Sequence, residues 1–206
     1  MNESKGDWEL KTALDVGCSH GYAVTKLWEL GLQASGIDLS NVAIDIARQT
    51  RPDEMELRCV APFPGRIPSC FQQGSVADLP WANRSFDLTM SSDVLEHVPP
   101  ALTDFAVAEM SRVTRKALIL KISVRHEGIT KAQRQVEHEF RARNQSFHSL
   151  HETIAHSAWW IAKFNRHGFK LKSKIPTPGH LCCAFVLQAD VEHPAFQAET
   201  DRGLQG

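Results

Sequence analysis

Gly17 and Gly21 bracket Cys18, Ser19 and His20, directly after the apolar residues Ala13, Leu14 and Val16 and directly before the helical pattern Ala23, Val24, Leu27, Trp28. Glycines at that spacing let a backbone turn sharply and let a ligand come close where a Cβ would stand in the way. The helix that follows begins with unpaired N–H groups and a partial positive charge, which suit the polar end of a ligand. About twenty residues on, Gly36-Ile37-Asp38-Leu39-Ser40 ends a second apolar run in a carboxylate. An acid at that place in a nucleotide-binding α/β unit accepts hydrogen bonds from ribose hydroxyls. A second group of chemical residues is Asp93-Val94-Leu95-Glu96-His97. Carboxylate and imidazole in one short segment can take up a proton near neutral pH or ligate a cation. A third is the histidine-rich stretch 125–152, with His126, His148 and His151.

These residues need elements to position them. The sequence predicts strands at 12–16, 33–38, 69–74, 85–91 and 116–124, and helices at 20–30, 40–48 with Ser40 as N-cap, and 101–113. The near-continuous apolar run of 116–124 fits a strand covered on both faces. Four prolines and a glycine between 51 and 68 predict a loop-rich insertion, with a short strand over 55–60. A helix over 153–167 ended by Gly168 and two strands at 169–175 and 181–188, joined by Pro176-Thr177-Pro178-Gly179-His180, close the chain. Ligands in such sheets bind at the carboxyl ends of the strands, where Asp93, Glu96 and His97 follow the fourth strand. Residues 125–152 follow the fifth, as a substrate-binding insertion and lid.

The first turn is not the G-x-G-x-x-G of nicotinamide binders. It resembles motif I of the class I S-adenosylmethionine-dependent methyltransferases, D-x-G-x-G-x-G, through Asp15, Gly17 and Gly21, with Ser19 in place of the middle glycine. Gly74-Ser75-Val76-Ala77-Asp78-Leu79-Pro80-Trp81 with Ser85-Phe86-Asp87-Leu88 resembles that family's G-D-A-x-x-L-P-aromatic and S-F-D pattern, and Asp93–Val98 resembles its D-x-L-E-H-apolar segment. The likeness covers residues 13 to about 124. It implies an α/β, Rossmann-like, doubly wound, mostly parallel seven-stranded sheet with an antiparallel C-terminal strand pair, as a single domain over residues 1–206. It implies S-adenosylmethionine as cofactor, bound by Asp15, Gly17, Cys18, Gly21, Asp38, Leu39, Ser75, Val76 and Ser92. Ser75 stands where the family often has an acid for the adenine amino group. Asp78 is either a substitute for it or a helix cap before Leu79.

The catalytic candidates are His97, His151 and Glu96, with a histidine as general base. No metal is required on this reading. A related E-x-x-E-H motif holds a divalent cation in O-methyltransferases of ubiquinone synthesis and of small-RNA 3′ ends. The corresponding set here is Asp93, Glu96 and His97 with His148 or His151, and it suits manganese, iron or zinc better than magnesium. The resemblance implies O-methylation of a small molecule or sugar, with an N-methyltransferase or a catalytically inactive cofactor-binding subunit as alternatives.

Bulk properties bound the remainder. At 206 residues, 42% hydrophobic and 23% charged, the chain can bury one sizeable core. A net charge of -1 gives no drive toward nucleic acid or anionic membrane. No apolar run is long enough to span a bilayer and the first residues carry no signal-peptide core, so the cytoplasm is expected. The five cysteines, 18, 59, 70, 182 and 183, are an odd count with one adjacent pair, and free thiols are expected.

Overall fold

The computed structural model describes residues 9–51, 58–124, 151–176 and 182–197, with the backbone alone at 176, 182 and 183. Its elements run β1 (Thr12–Val16), α1 (Tyr22–Glu29), β2 (Gln33–Asp38), α2 (Asn41–Thr50), β3 (Phe71–Gln73), β4 (Phe86–Ser92), a single 3-10 turn (Leu95–His97), α3 (Pro100–Val113), β5 (Thr114–Ser123), α4 (Ser157–Asn165), β6 (Phe169–Pro176) and β7 (Cys182–Ala189). The strands form one seven-stranded sheet in the order β3-β2-β1-β4-β5-β7-β6. The first five pair in parallel, and β7 runs antiparallel to both β5 and β6.

Alternation along the strands sorts side chains onto two faces. Leu14 and Val16 of β1 and Leu118, Leu120 and Ile122 of β5 pack with Ala106, Val107 and Met110 of α3 and Trp160 and Phe164 of α4. Ala13 and Ala117, one residue out of phase, pack with Val24 and Leu27 of α1 and Ile44 and Ala47 of α2. Helices on both faces explain why β5 reads as almost unbroken apolar sequence. The order reverses between β1 and β4, since β1 leads to β2 on one side while β4 and β5 lie on the other. That reversal opens a crevice beyond the carboxyl ends of β1 and β4.

Several expectations are corrected. Cys59 and Cys70 are not free thiols. They form a disulfide with Cα atoms 5.3 Å apart, a separation the bond requires. Both are buried, Cys70 leads into β3, and the bridge ties the proline-rich insertion to the sheet. Cys18 is a buried free thiol. No strand forms at 58–60, and residues 52–57 lie outside the described residues. β3 is shorter than 69–74, and no helix starts at Leu79, where 75–78 instead make a turn closed by Asp78 N to Ser75 O at 3.1 Å. The last helix begins at Ser157, not 153, because residues 152 and 153 are hydrogen-bonded elsewhere. The lid expected over 125–152 lies outside the described residues except for His151 and Glu152. Among the described residues no helix is long and apolar enough to cross a membrane.

Candidate functional site

The turn after β1 is built around glycines that other residues could not replace. Gly17 has φ 79°, and a Cβ on it would lie 2.1 Å from Cγ2 of Val94, just beyond β4. Gly21 has φ 78°, and its Cβ would meet the Phe71 ring at 2.4 Å. The loops after β1 and β4 thus touch at the reversal point. Ser19, at the family's middle glycine, adopts φ 47°. Gly17 N and Cys18 N both donate to the Ile37 carbonyl, at 2.8 and 3.0 Å, which fixes the turn to the end of β2.

Asp38 sits at that end with each carboxylate oxygen holding one backbone N–H: Oδ2 accepts from Ser19 and Oδ1 from Ser40, both at 2.9 Å. Each oxygen keeps lone-pair capacity for a further donor such as a ribose hydroxyl. Ser40 Oγ accepts from Ala43 N at 3.2 Å, the cap expected for α2. α1 starts at Gly21 with no side-chain cap, leaving its first N–H groups facing the turn. Asp15 is 5% exposed, and burial, with the charge of Asp38 adding to it, pushes its carboxyl up to about 7. Cys18 turns its side chain into the core: a Cβ on Gly36 would lie 2.7 Å from its Sγ. Burial, then the charges of Asp15 and Asp38, push the thiol up, which disfavours the reactive thiolate. Around the turn Leu39 and Ser92 are exposed and Val76 is half-buried. Ser75 Oγ accepts from Ala77 N at 3.1 Å within its own turn.

Beyond β4 the structure brings Glu96, His97 and His151 together. One ligand atom from each lies within 4.8 Å of the others. The two imidazole rings meet edge to face with centroids 4.7 Å apart. Glu96 is fully buried, with Oε1 accepting from Ser123 N at 3.0 Å and Oε2 without a hydrogen-bond partner among the described residues. Asp93 is not part of this group, contrary to the expected cation set. It adopts φ 56°, and its Oδ2 pairs with the Lys121 ammonium and accepts from Ser92 Oγ at 3.0 Å. His148 and His126 lie outside the described residues. Sequence reasoning missed Ser123, whose contribution is a backbone N–H, and Lys121, which no motif marks.

The family profile described as Methyltransferase domain matches residues 14–120, just over half of the chain. The chain is 33% identical over 114 residues to an uncharacterized methyltransferase of Mycobacterium tuberculosis, covering 55% of this chain and 39% of that protein. It therefore spans about two-fifths of the length of the curated relatives it matches. Among solved structures it resembles the magnesium protoporphyrin IX methyltransferase of Synechocystis PCC 6803 with bound S-adenosylhomocysteine, at TM-score 0.64, 18% identity, and coverage of 89% of this chain and 75% of that one. It also resembles the mitomycin 7-O-methyltransferase, at TM-score 0.63, 12% identity, and coverage of 87% and 49%.

Proposed function

This chain belongs to the methyltransferase-domain family, and on that premise we propose that it transfers a methyl group from S-adenosylmethionine to a hydroxyl of a small molecule or sugar. When bound, the cofactor supplies a methyl group already activated by its sulfonium. The protein's task is then alignment and removal of the acceptor's proton. On this reading Asp38 accepts the two ribose hydroxyls. The Gly17–Gly21 turn, with Asp15 and the Cys18 backbone, lies along the methionine part, and Leu39, Ser75, Val76 and Ser92 border the adenosine.

The observation that carries the reading is the meeting of Glu96, His97 and His151, a short way along the chain from Val94, which packs on Gly17. His97 or His151 takes the hydroxyl proton as the oxygen attacks, since a neutral imidazole has an unprotonated ring nitrogen to accept it. Buried Glu96 stabilises the imidazolium that results. The mitomycin 7-O-methyltransferase, by its name, methylates an oxygen. We place the reaction in the cytoplasm.

One observation favours a second reading of the same group. A buried carboxylate oxygen without a hydrogen-bond partner is costly, and a cation would satisfy it. Glu96, His97 and His151 have the donor chemistry to hold manganese, iron or zinc, which would lower the acceptor hydroxyl's pKa.

Methyl-labelled S-adenosylmethionine offered with a panel of hydroxylated small molecules and sugars tests the proposal. Label should pass to at least one oxygen acceptor. Retained activity in chelator selects the histidine base, and loss restored by a divalent ion selects the cation. Transfer only to amines would replace the oxygen acceptor with nitrogen. Cofactor binding without any transfer would mark a non-catalytic subunit.

A further inference from the structure

The chain returns to the site at His151, and its neighbours pin it there. In the 3-10 turn, His97 N donates to the Val94 carbonyl and Val98 N to the Leu95 carbonyl. The carbonyls of Glu96 and Val98 need donors from elsewhere, as turn-end carbonyls do. Residues 152 and 153 supply them. Glu96 O accepts from Glu152 N and from Thr153 N, both at 2.9 Å. The buried Thr153 hydroxyl donates to Val98 O at 2.6 Å. It stands 3.3 Å from Thr103 Oγ1, which in turn donates to Pro99 O at 3.2 Å at the start of α3.

We propose that Thr153 is a positioning residue, whose hydroxyl clamps the returning chain to the turn and so holds the His151 imidazole against His97 and Glu96. The proposal rests on the reading that this group serves the methyl acceptor. Any residue at 153 other than proline would keep its backbone N–H. Two N–H bonds converging on one carbonyl leave the segment free to pivot about that oxygen. The hydroxyl bond to a second carbonyl, two residues further along the turn, removes the pivot. A valine has nearly the same shape and lacks the hydroxyl, donor and acceptor alike.

The test needs no acceptor. Full-length protein labelled at histidine is examined by NMR for a through-space cross-peak between the ring protons of His97 and His151, assigned with His97→Gln and His151→Gln. Thermal melting and calorimetry with S-adenosylhomocysteine accompany each sample. The cross-peak is expected in wild type and in Thr153→Ser, and at least threefold weaker in Thr153→Val, with cofactor affinity unchanged within twofold. Thr103→Val removes the neighbouring hydroxyl and leaves the bond to Val98 O in place, so it should keep the cross-peak. No cross-peak in wild type, or one of wild-type strength in Thr153→Val, overturns the proposal. So does parallel loss of cross-peak and cofactor affinity, which would mark general structural damage. If Thr153→Val does not fold, Thr153→Ala takes its place, and a cross-peak of wild-type strength there overturns it. Failure of the wild type to bind S-adenosylhomocysteine while the cross-peak behaves as expected counts against the methyltransferase reading alone.

Discussion

Asp15 is a residue whose chemistry departs far from its type. Burial beside Asp38 raises its carboxyl to about 7, so the folded state holds a proton that the unfolded chain, with an ordinary carboxyl, has lost. Between about pH 4 and 7 the unfolded state binds fewer protons, and stability falls as pH rises. The fall levels off above about 7, when Asp15 is ionised in both states. Thermal melts of the cofactor-free protein from pH 5 to 8 should show it, and Asp15→Asn should flatten it. An identical slope in both proteins would contradict this. His97 and His151 carry a second prediction at this scale. Replacing the one that acts as base should lower kcat about 10²–10⁴-fold without changing cofactor affinity, and steady-state kinetics across pH should lose the histidine limb. Full activity in both His97→Ala and His151→Ala leaves alignment as the only catalytic effect. Asp38, Glu96 and His97 were legible because a side chain and a short motif announce them. Cys18 was legible only as a small residue in a turn. Which way its thiol points depends on Gly36, on another strand. The pairing of Asp93 with Lys121 was hidden for the same reason, since 28 residues separate them.

At the scale of elements, β1 and β2 have the bounds read from the sequence, because β1 stops before Gly17 of the turn and β2 ends at Asp38, which accepts from Ser19 N. The edge strand β3 was overestimated, since a strand with one neighbour shortens where pairing stops. The last helix starts four residues late because 152 and 153 give their N–H groups to Glu96 O instead of to a helix. Gly17→Ala should destabilise the fold by about 2–5 kcal/mol, from left-handed backbone strain together with overlap with Val94. Gly31→Ala has the same sign of φ but open space around it, so its cost should stay near 1–2 kcal/mol. Denaturant melts that rank the two the other way would contradict the packing of the β1 and β4 loops. The disulfide between Cys59 and Cys70 closes a short loop, separation 11, and should contribute roughly 2–3 kcal/mol. Reductant should lower the melting temperature of the wild type and not of Cys59→Ser/Cys70→Ser. An odd cysteine count hid this pair, because counting says nothing about which two meet. Such bonds persist mainly in oxidising surroundings, so this melt also bears on the cytoplasmic placement.

For the molecule as a whole, the sheet order, its reversal between β1 and β4 and the antiparallel last pair go with helices between successive strands up to β5, save for the loop from β3 to β4, and a hairpin at the end. The site lies where that topology puts ligands. The identity of the acceptor does not follow from topology, because one sheet architecture hosts many different functions. The cofactor side can be tested now, by titrating S-adenosylmethionine and S-adenosylhomocysteine into wild type and Asp38→Ala in a calorimeter. The account predicts one binding site in the wild type and, in a folded Asp38→Ala protein, a loss of about 1.5–3 kcal/mol, or roughly ten- to more than a hundredfold in affinity. A wild type that binds neither compound, or an Asp38→Ala protein that binds as tightly as the wild type, would contradict it.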